Sequence, residues 1–288
     1  CVILTSIRYD LIVTEHEFLP YFPAWFEKLF KIFRIDYIVD YDDAIFIRYE
    51  QSRNKLVRLL LGKKIKKVIR YAKAVITGNK YLFEYASRFN DNVYMIPTVV
   101  SFKKYDAVIV PEKPKQFIVG WTGSQTTSQY LIPLSSLFRK LKKAGIQINL
   151  IGFDKKLKFH FKDININWID WTTDSEIEEI KKFNVGIMPL DDDLWSKGKC
   201  GFKLIQYMAC NLPVIASPIG ANVDLVDNGT NGFLATSIDE WTRSVLYLAE
   251  NPEEAISMGQ KGYNRFRENY SLEAVADRYI SIIKSSMK

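Results

Sequence analysis

Two lysines and a glycine stand around the start of a predicted helix in the C-terminal half of the chain. Lys199, Gly201 and Lys203 lead into an apolar helical run over residues 202–209, and a buried strand at 214–216 follows. A glycine lets backbone N–H groups approach a ligand closely, and a helix N-terminus carries partial positive charge. The two ammonium groups add full charges to that field. This turn is therefore predicted to bind a diphosphate.

Two further loops follow predicted strands on the C-terminal side of the chain. The strand at 117–120 leads to Gly123 and Ser124, where small side chains favour a phosphate approaching backbone N–H groups. The strand at 166–168 leads to Trp171, where an aromatic edge could meet a nucleobase. Each loop also has a plain structural interpretation, a tight turn for the first and a partly buried core tryptophan for the second.

Three consecutive carboxylates precede the lysine turn at Asp191, Asp192 and Asp193. Oxygen ligands of this kind can hold a hard cation, but acidic loops are usually solvated. The lysines that follow would also compete with a cation. No metal site is predicted.

Polar residues also follow two predicted strands in the N-terminal part. His16 follows the strand at 11–14 and could orient a hydroxyl of a ligand, although a structural histidine is an equal alternative. Asp42 and Asp43 follow the strand at 37–39 and could position a ligand. Helix capping is the alternative for these two carboxylates.

Short β-branched runs alternate with helical patterns along the whole chain, which predicts an α/β fold with parallel sheets. The segment 99–114, which ends in Pro111 and Pro114, is predicted to be a connection without a helix. Strands are predicted at 11–14, 37–39, 74–77, 93–96, 117–120, 148–151, 166–168, 185–188, 214–216 and 232–234. Helices are predicted at 24–33, 56–72, 80–88, 130–143, 175–183, 202–209, 238–250, 252–269 and 272–284.

The length of 288 residues and the 48% hydrophobic content predict two domains with sizeable cores. We place them at 1–104 and 105–288, as two Rossmann-like domains facing a cleft. The first has only four strands and is predicted to be incomplete at its N-terminus, and Cys1 indicates a fragment or a processed chain. No apolar run reaches ~18 residues, no leader is evident, and three cysteines suggest no disulfide framework. A cytoplasmic location is expected.

The net charge of +7 lies wholly in the first part of the chain. Residues 1–104 hold 18 basic and 11 acidic residues, and the remainder holds 22 of each. Much of the excess lies at 63–70, where Ile65, Val68 and Ile69 share a helical face. This segment is predicted to be a surface helix with a solvated basic side, or a surface attracted to an anionic membrane. No nucleic acid partner is predicted, because stacking aromatics are not interleaved with the basic residues.

The order of these motifs resembles the GT-B-type glycosyltransferases of family 4 (group 1). Residues 117–288 resemble the donor half, chiefly through 198–217 and 228–234. The first part resembles the acceptor half through 9–13, 40–44 and 77–82.

This resemblance implies a retaining, metal-independent hexosyltransferase that uses a nucleoside-diphosphate sugar and no cofactor. Departure of the diphosphate builds negative charge that fixed donors and lysines can stabilise. The family usually has two glutamates eight positions apart, where this chain has Gly198 and Gln206. The candidate catalytic residues are Lys203 and Lys199, with His16 and Asp43. The candidate diphosphate ligands are Gly123, Ser124, Ser196, Lys199 and Lys203. Trp171 and Gln206 are candidates for the nucleoside, and Asp192, Asp193, Gly201 and Phe202 for the sugar.

The leading hypothesis is a glycosyltransferase acting on a glycan or lipid-linked acceptor of the cell envelope or a polysaccharide, cytoplasmic or peripheral at the inner face of the membrane. A second is a donor-binding module without catalysis. A third, a dinucleotide-dependent oxidoreductase, lacks a G-x-G-x-x-G fingerprint after any predicted strand. A fourth is a basic adaptor at the membrane surface.

Overall fold

The structure is a computed structural model that describes residues 9–109 and 115–287. Cys1, Pro111 and Pro114 lie outside the described residues. The chain forms two compact units. Unit 1 comprises Cys1–Thr98, Asp192–Cys200 and Val275–Lys288, and unit 2 comprises Val99–Asp191 and Gly201–Ala274.

Both units are built on parallel β-sheets. The sheet of unit 1 has the strand order β1-β2-β3-β4, and that of unit 2 the order β10-β9-β8-β5-β6-β7. All described pairings of these strands are parallel, which confirms the predicted α/β fold. The strands are β1 (Ile12–Glu15), β2 (Tyr37–Tyr41), β3 (Ala74–Thr77), β4 (Val93–Met95), β5 (Ile118–Thr122), β6 (Gln147–Ile151), β7 (Ile166–Ile169), β8 (Val185–Met188), β9 (Val214–Ala216) and β10 (Gly232–Leu234).

Helices connect the strands, as parallel pairing requires. The α-helices are α1 (Trp25–Ile32), α2 (Phe46–Glu50), α3 (Lys55–Leu61), α4 (Lys64–Tyr71), α5 (Lys80–Ala86), α6 (Phe102–Asp106), α7 (Ser135–Lys143), α8 (Glu176–Lys181), α9 (Leu194–Lys197), α10 (Phe202–Ala209), α11 (Asn222–Leu225), α12 (Ile238–Glu250), α13 (Pro252–Asn269) and α14 (Leu272–Ser286). Two 3₁₀ helices cover Gln125–Leu134 and Lys155–Phe161. Within the described part of the chain, every helix is too short or too polar to cross a bilayer.

Three predictions about helices are wrong. The helix expected over 56–72 is divided at Gly62, which ends α3 before α4 begins. The helix expected over 130–143 starts as a 3₁₀ helix that contains Pro133, a residue without an N–H for a regular α-helical bond. The segment 99–114 contains α6, which the burial of Tyr105 anchors.

The predicted apolar faces form the cores. In unit 2, Leu131, Leu134, Phe138 and Leu141 are buried together with the strands. In unit 1, Ile65, Val68, Ile69 and Ala72 are buried, as their helical spacing predicted. The basic side of α4 is not wholly solvated, because Lys64 is buried beside Glu17 with 2.5 Å between Lys64 Nζ and Glu17 Oε2.

Candidate functional site

The strand order of unit 2 has a switch point between β5 and β8. Strands β6 and β7 continue the sheet on one side of β5, and β9 and β10 continue it beyond β8. In open parallel sheets, ligands bind outside the carboxyl ends of the strands at such a point. The loop that follows β5 begins with Gly123 and Ser124. This edge of the sheet is therefore where a ligand of unit 2 is expected.

Helix α10 begins at Gly201 with an uncapped N-terminus. Gly201 has φ = 72° and, as a glycine, supplies no side chain to cap the helix. A Cβ at this position would lie 2.0 Å from Leu225 Cδ1, so the site requires glycine for space as well as for conformation. The first N–H groups of a helix have no intrahelical partner and carry partial positive charge. Lys203 is the second residue of this helix.

Trp121 brings Lys203 and the loop after β5 into one neighbourhood. The Lys203 ammonium lies 5.5 Å from the centroid of the buried Trp121 ring. A Cβ on Gly123 would lie 2.3 Å from the same indole. Lys203 and Gly123 thus contact one side chain, and the predicted diphosphate residues of unit 2 are close together.

The backbone N–H groups of the β5 loop are already used within unit 2. Gly123 N–H donates to Ile151 O at 3.1 Å, and Ser124 N–H donates to Thr127 Oγ1 at 3.0 Å. The exposed residues of this loop include Ser124 and Thr126, whose hydroxyl oxygens are 2.9 Å apart. Hydroxyls, not these two N–H groups, are what the loop offers to a phosphate in this conformation.

The two residues predicted to meet the nucleoside differ in exposure. Gln206 is buried on α10, and its side chain hydrogen-bonds to the Tyr105 side chain. Burial raises the pKa of Tyr105 well above its ordinary value, so the phenol stays neutral. Trp171 is exposed in the loop after β7.

The segment Asp192–Cys200 belongs to unit 1. Asp193 caps α9 by accepting a hydrogen bond from Ser196 N–H at 2.6 Å, and Asp192 lies 3.0 Å from Lys197 Nζ. Ser196 is buried. The carboxylates predicted to hold a sugar thus make contacts within their own segment. The predicted sugar contacts in unit 2 are Gly201 and Phe202, at the start of α10, and Phe202 is exposed.

Asn79 holds this segment from the first turn of α5. Its side-chain N–H groups donate to the backbone oxygens of Lys197 at 3.3 Å and Lys199 at 3.1 Å. Its Oδ1 accepts from Leu82 N–H at 2.9 Å and caps α5. The sequence included Asn79 in the motif at 77–82 but gave it no role. Asn79 is buried, and its three side-chain hydrogen bonds join the segment that contains Lys199 to the start of α5.

The Lys199 ammonium lies at the carboxyl edge of the unit 1 sheet. It is 3.4 Å from Asp43 Oδ1 and 5.6 Å from the Trp195 ring centroid. Burial raises the pKa of Asp43, although the Lys199 charge opposes this. Lys199 and Asp43, both predicted catalytic residues, therefore form an ion pair within unit 1.

His16 and Asp42 form a second pair at the same edge, with His16 Nε2 2.6 Å from Asp42 Oδ1. Burial acts to lower the pKa of His16, but the hydrogen bond and charge of Asp42 outweigh it and raise the pKa. The hydrogen bond from His16 lowers the pKa of Asp42. Together with Glu15, these residues bring ligand atoms within 4.8 Å of one another, a spacing at which they could hold a metal ion.

Gly198 lies against Ala44, and its position leaves no room for a side chain. A Cβ there would be 2.3 Å from Ala44 Cβ and 2.7 Å from Ala44 N. The first glutamate of the family pattern could not stand here without movement of the backbone.

Comparisons with known proteins agree with the resemblance predicted from the sequence. Residues 116–251 match the family model described as "Glycosyl transferases group 1". A probable sucrose-phosphate synthase of Thermosipho melanesiensis is 33% identical over 84 residues, which is 29% of this chain and 19% of that protein. A trehalose synthase of Thermococcus litoralis is 24% identical over 165 residues, 52% of this chain and 39% of that protein. The matches thus span well under half the length of these curated relatives.

Solved structures confirm the fold over nearly the whole chain. The crystal structure of Anabaena Alr3699/HepE in complex with UDP matches with a TM-score of 0.75 and 14% identity, covering 99% of this chain and 81% of that one. The same protein was also solved with UDP-glucose. The predicted resemblance to GT-B-type glycosyltransferases is confirmed, in fold over nearly the whole chain and by the match of residues 116–251 to the group 1 family model.

Proposed function

We propose that this chain is a retaining glycosyltransferase that moves a hexose from a nucleoside-diphosphate donor to a glycan or lipid-linked acceptor of the cell envelope, at its cytoplasmic face and without a metal ion. Matches to glycosyltransferases support the transferase class. The observation that carries the proposal is the start of α10, where the uncapped helix N-terminus and Lys203 lie beside the β5 loop.

The donor diphosphate would bind at this place in unit 2. The N-terminus of α10 supplies backbone N–H groups and partial positive charge, and Lys203 supplies a full charge. The hydroxyls of Ser124 and Thr126 add donors from the β5 loop. Trp171 is exposed and offers a ring to the base. These groups are fixed before the reaction, so they can stabilise charge without reorganising.

The reaction breaks the bond between the sugar C1 and the β-phosphate oxygen, and forms a bond from C1 to an acceptor oxygen. The leaving diphosphate gains negative charge, which Lys203 and the helix N-terminus neutralise. The acceptor hydroxyl loses a proton, which the departing β-phosphate oxygen takes up. In unit 1, we assign the positioning of that hydroxyl to the pair His16 and Asp42, because a histidine held by a carboxylate has a fixed ring orientation.

A thermal-shift screen with UDP, GDP and ADP tests the donor site. UDP is the first ligand because HepE was solved with it. A ligand that binds only the folded protein raises the unfolding temperature. We expect one diphosphate to do so, and Lys203→Ala to remove the effect. Lys261→Ala, an exposed lysine of α13 in the same unit, is the matched control. If none of the three raises the unfolding temperature, the donor site is wrong.

A donor-binding module without catalysis is the second candidate. It is favoured by Gly198, which supplies no side chain and is packed against Ala44. Stabilisation by a diphosphate, combined with neither transfer nor hydrolysis of its sugar ester, would establish this alternative. Release of the diphosphate from the donor would establish the enzyme.

A further inference from the structure

One face of unit 1 carries apolar side chains in solvent. Helix α3 exposes Leu56, Leu59 and Leu60, whose exposed fractions are 66%, 80% and 72%. These positions lie three and four residues apart, so the side chains share one side of the helix. A surface helix ordinarily turns such a stripe towards the core. In α3, only Leu61 is buried.

The segment that leads into α1 also carries exposed aromatic side chains. Tyr21, Phe22 and Trp25 are exposed, and the rings of Phe22 and Trp25 pack edge to face with centroids 5.7 Å apart. Lys64, three residues after the end of α3, donates to the backbone oxygen of Leu19 at the start of this segment. This segment therefore lies beside the start of α4, which follows α3 closely in the chain. We call this surface, made of Leu19, Tyr21, Phe22, Trp25, Leu56, Leu59 and Leu60, the apolar face.

Many exposed basic residues lie in the same stretch of chain as the α3 leucines. Residues 51–71 contain eight lysines and arginines and no acidic residue. Six of the eight side chains are exposed, namely Arg53, Lys55, Arg58, Lys63, Lys67 and Arg70. Most of the surplus positive charge of the N-terminal part thus lies on and around α3 and α4.

Buried contacts hold the segment that leads into α1 in place. Glu17 Oε2 is 2.5 Å from Lys64 Nζ, and Glu17 Oε1 accepts from the Tyr49 hydroxyl at 2.7 Å. The Tyr49 oxygen in turn accepts from Tyr21 N–H at 2.9 Å. The aromatic residues of the apolar face are therefore presented by an ordered scaffold.

We propose that the apolar face is a docking surface for an anionic lipid bilayer. Apolar and aromatic side chains enter the headgroup region, and the exposed lysines and arginines attract anionic headgroups. Charge complementarity selects this occupant, because a second copy of the chain would bring the same positive charges together. The proposal does not depend on the transfer reaction, and the donor-site test uses no lipid.

Co-sedimentation of the full chain with vesicles, without nucleotide, tests the proposal. Vesicles of phosphatidylcholine alone are compared with vesicles of equal parts phosphatidylcholine and phosphatidylglycerol. We expect binding to the anionic vesicles that weakens as salt is added. Leu59→Ser combined with Leu60→Ser should reduce binding by more than about tenfold. Lys63→Gln combined with Lys67→Gln should reduce it by about fivefold per charge, on anionic vesicles only.

A matched control lies on α13 of unit 2. Ile256 and Lys261 are also exposed, so Ile256→Ser combined with Lys261→Gln removes similar groups from another surface and should leave vesicle binding unchanged. A second measurement follows tryptophan fluorescence, which should shift to the blue on anionic vesicles in the wild type but not in Trp25→Phe. Far-UV circular dichroism checks the fold of each variant.

Three results would overturn the proposal. The first is a wild-type chain that does not sediment with anionic vesicles. The second is equal loss of binding in the control and in the leucine variant. The third is evidence for a different occupant. In that case the wild type does not bind vesicles but forms a dimer in sedimentation velocity or captures a single-stranded oligonucleotide, and the leucine variant abolishes that association.

Discussion

Removal of the Lys64 ammonium should destabilise unit 1 strongly. Only 1% of the Lys64 side chain and 4% of the Glu17 side chain are exposed. Among the described residues, Glu17 Oε2 has the Lys64 charge as its ion-pair partner and no hydrogen bond. Lys64→Ala would leave a buried carboxylate whose remaining hydrogen bond comes from Tyr49. Loss of one partner of a buried pair costs about 3–5 kcal/mol, because the other charge is left uncompensated.

The free energy of unfolding is measured in urea by circular dichroism for each variant. Lys73→Ala is the control in the same unit, since Lys73 Nζ lies 3.3 Å from Asp36 Oδ2 and 45% of the lysine side chain is exposed. Such a pair contributes ~0.2–1 kcal/mol. The double variant Glu17→Gln with Lys64→Met removes both charges and should cost less than the sum of the single changes. A loss in Lys64→Ala no larger than in Lys73→Ala would refute the reasoning.

Two further predictions concern backbone conformation and pH. Gly201→Ala should lower the unfolding temperature more than Gly145→Ala does. Both glycines have φ above 70°, but of the two only Gly201 also lacks space for a Cβ. Equal losses would show that the Leu225 side chain moves aside easily. The folded pKa of His16 is raised, so its contribution to stability is full below the unfolded value of about 6.5 and is lost as pH rises through the folded value. The pKa of Asp42 is lowered, so its contribution is lost as pH falls through the folded value. NMR titration of the His16 ring, assigned with His160→Gln, should give a pKa above 6.5 that Asp42→Asn lowers; no response to Asp42→Asn would contradict the pair.

The regular elements of unit 2 could be predicted well from the sequence. Strands β8, β9 and β10 and helices α10, α12 and α13 have the predicted bounds. Each combines a clear apolar pattern with a turn or capping signal at its ends. Ser237, for example, precedes α12, and its side chain accepts a hydrogen bond from Glu240 N–H. The sequence is sufficient to predict a helix or strand where the apolar pattern and the signals at the ends of the element agree.

Long-range packing could not be predicted in the same way. The segment Asp192–Cys200 belongs to unit 1, and Asn79 anchors it through hydrogen bonds between residues about 120 positions apart in the chain. The burial of Lys64 depends on Glu17, which lies on a distant part of the chain. The amphipathic spacing of α4 predicted that its basic side chains lie in solvent. That spacing gives no information about a distant carboxylate such as Glu17, which pairs with Lys64 in the core. The exposure of the α3 leucines could not be predicted for the same reason.

For the candidate site, the sequence could predict which residues stand there but not which hydrogen bonds they make. Gly201 and Lys203 stand at the start of α10 as expected. The N–H groups of Gly123 and Ser124 donate within unit 2, which depends on the conformation of the loop after β5 and could not be deduced from two small residues.

Calorimetric titration of UDP into the wild-type chain and into Lys203→Ala tests the central claim most directly. A charged hydrogen bond to phosphate is worth ~1.5–3 kcal/mol, so the variant should bind at least about tenfold more weakly. Equal affinity in the two proteins, or no binding of UDP, GDP or ADP to the wild type, would contradict a diphosphate site at the start of α10.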